Sequence, residues 1–234
     1  MQSELILLQS PAMQIALTRI QKLIAQRMLY SKSNKPSFYL QCKADMTALL
    51  AKRPVLRKLW GVKITTNAFY IRSLGLAVQE FPLMGGRLCD GQVQIDGQVN
   101  VGFAVNAPQG LVVPVVKDAG RLSLPEIARL EQLLTDKARD NKLTLDELEG
   151  QNVALSNLGI YGIDLFLGIV PPATTAILSV GNIINAAVPL AGKIEVRKEL
   201  SLSLAVDSRL VAEPYAAKFL TRIRQLLQKP QQLI

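Results

Sequence analysis

The clearest pattern along the chain is a period of two near its end. Leu200, Leu202, Leu204 and Val206 alternate with Ser201, Ser203 and Ala205, which predicts a strand with one apolar face and one face of small residues. The strand delivers Asp207-Ser208-Arg209 at its tip, just before a helix that opens with Pro214 near its first position. That helix, Pro214 to Leu227, gathers Tyr215, Phe219, Leu220, Ile223, Leu226 and Leu227 on one stripe. At the other end, Ile15 to Ser31 is apolar at Leu17, Ile20, Leu23, Ile24 and Met28, the spacing of an amphipathic helix. Pro36 ends it, and Ser37 to Ala44 reads as a strand. Met46 to Arg53 predicts a short helical piece cut by Pro54. Lys63 to Phe81 predicts a buried helix stopped by Pro82.

Turn chemistry fills the middle. Asp90-Gly91 and Asp96-Gly97 flank the brief strand Val93 to Ile95, a hairpin signal. Two β-branched runs, Val99 to Val105 and Leu111 to Val116, are joined by the turn Ala107-Pro108-Gln109-Gly110. Ser123 to Glu126 is a capping box that starts a helix apolar at Leu124, Ile127, Leu130, Leu134 and Ala138. A second box, Thr144 to Glu147, predicts a short helix stopped at Gly150, and Val153 to Leu155 predicts a strand entering Ser156-Asn157-Leu158-Gly159. No repeat, low-complexity stretch or linker divides the chain. The expectation is an N-terminal tail over 1–14 and one domain over 15–234.

Composition narrows the function classes. A chain of 234 residues with nearly half of them apolar can bury a substantial core. The net charge of +9 raises nucleic acid or an anionic membrane as partner. Its cations are spread along the helices with no basic block interleaved with aromatics, so neither is expected. A phosphate-rich ligand or an acidic protein fits better. The absence of histidine excludes every mechanism resting on a histidine base or metal ligand. Cys42 and Cys89 lack metal-like spacing and read as reduced thiols, so no metal site is expected. Residues 1–14 have neither the basic n-region of a secretory signal nor the Arg-rich character of a transit peptide, and a cytoplasmic location is expected (the mitochondrial matrix in a eukaryote). The uncharged run from Leu165 to Gly192 is long enough to span a bilayer. Pro171, Pro172, Pro189 and several glycines interrupt it, so it reads as buried strands and loops at a subunit interface.

The tip residues carry a family resemblance. Asp207 to Glu213 is similar to D-H-R-x-x-D/N-G, the signature of the dihydrolipoamide acyltransferases, the core components of 2-oxo acid dehydrogenase complexes, to which chloramphenicol acetyltransferase is related. Asp207 and Arg209 stand, whereas Ser208 occupies the histidine position, Ala212 the Asp/Asn position and Glu213 the glycine position. The strings KPSFYL, VNVGFAVNAPQGLVVPVVKDA and SNLGIYGID resemble other family segments, with Ser37 at a second position where the family often has histidine. The likeness covers roughly Ile15 to Ile234. It implies an α/β two-layer sandwich of the chloramphenicol-acetyltransferase type, a mixed sheet flanked by helices, assembled as a trimer. Lipoyl and subunit-binding domains usually precede this segment in the family, and none reads in these residues.

In the family, the histidine takes a thiol proton so that the thiolate attacks a thioester, moving an acyl group between dihydrolipoamide and coenzyme A. A serine of the S-N-L-G segment, from the neighbouring subunit, hydrogen-bonds the oxyanion. Carried over, Ser156 is the intact oxyanion position, and Asp207, Ser208, Arg209 and Ala212 are a vestigial tip. A hydroxyl does not titrate near neutrality, so Ser208 cannot act as base. Glu213 would be strained if its position needs positive φ. The expectation is a structural core component resembling the dihydrolipoamide-dehydrogenase-binding protein (component X), with no covalently bound cofactor, assembled as a homotrimer or with an active paralogue. Two other readings share these residues: an acyltransferase using Glu213 as an unusual base, and a coenzyme A-binding regulatory module. The apolar end, Leu233 and Ile234, is expected to dock into a neighbouring trimer.

Overall fold

The computed structural model describes residues 14–17 and 19–234, so residues 1–13 of the expected tail lie outside the described residues. In chain order, helix α1 (Arg19–Asn34) leads to strand β1 (Ser37–Asp45), then α2 (Thr47–Trp60) and α3 (Thr66–Glu80). A hairpin follows, β2 (Gly86–Cys89) and β3 (Gln92–Ile95). Short strands β4 (Val101–Phe103), β5 (Val105–Ala107), β6 (Gly110–Val112) and β7 (Val115–Val116) precede α4 (Leu124–Arg139). The chain finishes with β8 (Val153–Asn157), the long pair β9 (Ala176–Leu190) and β10 (Lys193–Asp207), α5 (Glu213–Gln228) and a 3-10 turn, Pro230–Leu233.

Six strands form one mixed sheet in the order β1-β10-β9-β8-β4-β7. β1, β10 and β9 run antiparallel in turn, β9–β8–β4 are parallel, and β7 closes the far edge antiparallel to β4. Leu155, Leu178, Leu202 and Leu204 point from one face into the main core, where α3 and α5 supply Phe69, Leu74, Phe219 and Ile223. Phe81 adds edge-on ring contacts to Tyr215 and Phe219. The opposite face has no helix. Ala154, Ile177 and Ala205 line it and pack with Val170, from the segment between β8 and β9. The expected mixed sheet flanked by helices is therefore observed, with its helices gathered on one face.

Several expectations need correction. Helix α1 begins at Arg19, with Ile15 and Leu17 exposed before it, and runs on to Asn34. Pro54 does not cut α2: it sits on the exposed face of an uninterrupted helix. An interior proline costs ~3 kcal/mol, whereas burying Leu49 and Leu56, one to either side, contributes about 3–6 kcal/mol. The second capping box forms, with Thr144 N donating to Glu147 Oε2 at 2.9 Å, but it closes a turn and no helix follows. The run Val99 to Val105 breaks at Ala104, where β4 stays in the main sheet and β5 leaves to pair with β6. The uncharged run is buried only in part: Leu165, Leu167 and Ile169 are exposed, as is the outer half of β9.

The β9–β10 ladder outruns the rest of the sheet. Its outer half, closed by Ala191-Gly192 with positive φ at both residues, carries exposed Ile184, Leu190, Ile194 and Val196. Nearer the core, a bulge sets Gly181 and Asn182 of β9 against Ser201 of β10. The bulge is where the backbone packs tightest. A Cβ on Gly181 would lie 1.9 Å from the carbonyl oxygen of Asp164, and one on Gly159 would lie 2.4 Å from that of Gly181. Only glycine fits at either position.

The C-terminus also differs from expectation. Leu233 is 1% exposed and belongs to the subunit's own core, so it is not an anchor for another trimer; Ile234 is 52% exposed. Burial by the chain's own α5 and neighbouring helices already claims that leucine. Leu233→Ala is accordingly expected to destabilise the fold by about 2–5 kcal/mol. Ile234→Ala should change stability by less than about 0.5 kcal/mol. Urea unfolding of the two variants checks both values, and equal losses would contradict this placement.

Candidate functional site

The tip of β10 ends on a buried carboxylate. Asp207 is 1% exposed, and its amide donates to Thr175 O at 2.9 Å, an extra rung of the ladder with the residue preceding β9. Arg209 closes back on it: Nε donates to Oδ1 at 2.9 Å, Nη2 to Oδ2 at 2.7 Å and the backbone N–H to Oδ1 at 3.1 Å. The Asp207 hydrogen bonds hold the guanidinium further into its charged form. Ser208 is exposed, and both its donors go to one acceptor, with N and Oγ donating to Pro36 O at 2.9 and 2.7 Å. Ala212 is the N-cap of α5, in extended backbone and without a side-chain cap bond. Glu213 begins the helix and is not among the positive-φ residues, so the expected backbone strain is absent. Its side chain faces solvent, not the dry surroundings that tune a carboxylate into a base.

Lys35 is a member of this cluster that the sequence reading did not single out. It sits 9% exposed at the turn between α1 and β1, donating Nζ to Pro171 O at 2.8 Å and Thr174 O at 2.5 Å. Burial pulls its pKa down to about 8; the Asp207 charge opposes that shift and Arg209 reinforces it. Lys35, Arg87, Cys89, Pro172, Asp207 and Arg209 share one small cleft at the tip.

Ser156 lies elsewhere. On the helix-free face it forms one rung with Ser179 of β9, Ser203 of β10 and Gln41 of β1. Ser179 Oγ accepts from Gly168 N at 3.2 Å, and Ser203 Oγ donates to Phe166 O at 2.5 Å, so both bind the covering segment. The Ser156 hydroxyl has no hydrogen-bond partner among the described residues, although the residue is half-buried. Asp207 is level with Thr175, four residues along β9 from Ser179, and β10 is two strands from β8. At about 3.3 Å per residue and 4.8 Å per strand the two positions are roughly 16 Å apart. A single chain does not bring Ser156 and its own tip together.

The turn after Ser156 is held from within. Asn157 Oδ1 accepts from Gly159 N at 3.0 Å, and Asn157 Nδ2 donates to Asn67 Oδ1 at 2.8 Å. Asn67 in turn hydrogen-bonds Glu131, a carboxyl 5% exposed on α4 that also accepts from Thr65 Oγ1 at 2.9 Å. Burial pushes the Glu131 pKa up, against the pull of Thr65, Lys63, Arg139 and Asn67. Near the start of α3 a separate cleft is lined by Arg53, Arg57, Lys63, Thr65 and Thr66. None of its three cations forms an ion pair among the described residues, which leaves a positive cleft suited to an anion.

Residues 9–234 match the model of the 2-oxoacid dehydrogenases acyltransferase family (catalytic domain). The chain belongs to this family. The acetyltransferase component of the pyruvate dehydrogenase complex of Rickettsia conorii is 32% identical over 215 residues, 90% of this chain and 52% of the relative. The chain thus spans about half the length of the curated relatives it matches. Among solved structures, the Azotobacter vinelandii dihydrolipoamide acetyltransferase has a TM-score of 0.90 at 31% identity, covering 95% of this chain and 93% of that one. A serine, a histidine and an asparagine have been investigated in that enzyme's catalytic mechanism. The cubic core of a pyruvate dehydrogenase multienzyme complex matches with the same score, identity and coverage. A chloramphenicol acetyltransferase, at a TM-score of 0.51 and 13% identity over 86% of this chain and 94% of that one, shares the fold, as the resemblance implied. Among the described residues no helix is long and apolar enough to cross a membrane.

Two outcomes follow from the tip. Ala212→Asp supplies the missing N-cap and is expected to stabilise the chain by about 1 kcal/mol. That is a rise of about 2–4 °C in Tm for a domain this size, measurable by calorimetry. Lys35 has the opposite kind of effect. Its folded pKa of about 8 lies below the ordinary 10.5, so between these values the unfolded chain binds more protons and stability rises with pH. The stability difference between wild type and Lys35→Met should therefore grow in favour of wild type from pH 8 to pH 10.5. A pH-independent difference in urea titrations would count against a buried, proton-losing lysine.

Proposed function

We propose that this chain is a non-catalytic, structural component of a 2-oxo acid dehydrogenase core, assembled in trimers as a homotrimer or together with an active acyltransferase of the same fold. The observation that carries this reading is the fate of the base position. Ser208 stands there with its hydroxyl committed to Pro36 O, and the chain contains no histidine that could replace it. Removing a positioned base costs ~10²–10⁴ in rate. Lys35 does not fill the gap, because its ammonium is spent on two backbone carbonyls.

Exposed apolar surface supports assembly. Leu23, Leu29 and Tyr30 on α1, Ile194 and Val196 on the outer hairpin, and Ile234 at the C-terminus are too many to leave in water at no cost. After the correction at Leu233, Ile234 alone carries the reading of the C-terminus as an anchor between trimers. A second reading, coenzyme A binding without turnover, is favoured by one observation, the unpaired cations Arg53, Arg57 and Lys63 lining a single cleft. Phosphates of that ligand match their charge.

The expected result is no detectable acyl transfer from acetyl-dihydrolipoamide to coenzyme A, with Ser208→His alone restoring none. A returned histidine would still lack the polar neighbour at Ala212 and would meet Glu213 where the family has glycine, and catalytic groups acting as a unit are not repaired singly. A thioester-exchange assay on the purified chain decides it: robust wild-type turnover would sink the non-catalytic reading. Calorimetric titration with coenzyme A separates the binding module from the scaffold.

A further inference from the structure

The two halves of the site have fared differently in this chain. The tip has lost its base position, while the Ser156 half is complete: a half-buried hydroxyl, free of partners, at the end of a strand. Its two neighbours in the rung, Ser179 and Ser203, spend their hydroxyls on the covering segment. The turn beyond it is fixed by a directed series of hydrogen bonds from Gly159 N through Asn157 and Asn67 to Glu131. A bond to the covering segment would have made Ser156 a packing residue like the other two. No such bond exists among the described residues.

Distance decides what this hydroxyl can serve. Ser156 lies roughly 16 Å from the tip of its own β10, by strand spacing and rise, and no side-chain rotation of a serine spans that gap. Any site that joins a tip to an S-N-L-G serine must therefore draw on two chains. In an assembly that mixes this chain with a histidine-bearing relative, one of the two possible pairings is complete: the relative's tip with Ser156 from this chain.

We propose that this chain donates Ser156 in trans, as the oxyanion-binding half of an active site whose base belongs to an acyltransferase subunit beside it. This deepens the proposed function and rests on it. In the step concerned, the partner's base takes the proton from the coenzyme A thiol, and the thiolate forms a bond to the carbonyl carbon of the acyl-dihydrolipoamide thioester. The carbonyl π electrons move onto oxygen, and the Ser156 O–H donates a hydrogen bond to that oxyanion. Collapse breaks the carbon–sulfur bond to dihydrolipoamide, whose sulfur takes the proton back from the base. Ser156 gains and loses no proton. Asn67 and Glu131 act through Asn157 as positioning residues.

The test uses the acyltransferase of the same organism that carries the histidine tip, with its own S-N-L-G serine replaced by alanine so that its homotypic sites lack the donor. It is co-expressed with this chain, wild type or Ser156→Ala, and mixed particles are isolated by tags on each chain. Loss of a single oxyanion donor costs ~10²–10³ in kcat. Particles containing the wild-type chain should turn over at least about 10²-fold faster than those containing Ser156→Ala. Asn67→Ala should lower kcat in the same particles and leave KM for coenzyme A unchanged, a split that a purely structural role would not produce. The Ser156→Ala chain loses only a hydroxyl without partners, so it folds and assembles as the wild type does. Mixed particles with equal rates for both chains would overturn the donated serine and leave the structural role standing. Failure to form mixed particles at all would overturn both.

Discussion

A carboxylate almost wholly withdrawn from water, Asp207, governs the end of the sheet. A buried charge is tolerated only when it is paired and its lone pairs are filled. Arg209 fills them from the same turn, and Lys35 brings a second positive charge from the junction of α1 and β1. Meeting that demand ties together parts of the chain distant in sequence. Lys35 also holds the Pro171 and Thr174 carbonyls, Ser31 donates to Val170 O beside them, and Asp207 N closes onto Thr175. The end of α1, the tip of β10 and the entry to β9 are therefore one electrostatic unit. The serine at position 208 stands on a rigid base whether or not it does chemistry.

The same sheet keeps its two chemical ends apart. Strand order sets Ser156 and the tip on non-adjacent strands, and register sets them four residues apart, so the fold itself forbids a one-chain site using both. Gly159 and Gly181 then fix the Ser156 end by backbone contact, while the tip is fixed by charge. Packing and electrostatics divide the work. Substitutions at the exposed tip positions Ser208 and Glu213 leave the serine end untouched, because no contact links them.

Much of this architecture was legible in the residues. The period-two run Leu200–Val206 announced β10 because one face of that strand meets only the core. The stripe of α5 was equally plain for the same reason. Pro54 misled because a local penalty was weighed without the burial of Leu49 and Leu56, which only the tertiary structure reveals. The Thr144 box misled in the opposite way: the cap was real, but no apolar stripe follows to stabilise a helix. The tip and Ser156 were legible through resemblance, whereas their separation depends on strand order, which periodicity does not encode. Lys35 left no local signal at all. Its burial depends on carbonyls 136 and 139 residues further along the chain.

The outer half of the β9–β10 hairpin has a consequence of its own. Fifteen residues per strand, at about 3.4 Å each, make a ribbon ~50 Å long, and its far part is wet on both sides. A two-stranded ribbon in water is marginally stable, so the Ala191-Gly192 end opens and closes more readily than anything it is attached to. In an isolated chain this makes the ribbon end the natural first cut for a protease and the fastest region to exchange amide protons. Once a neighbour covers it, both signals fall silent. The molecule thus carries in its own backbone a reporter of whether it is alone.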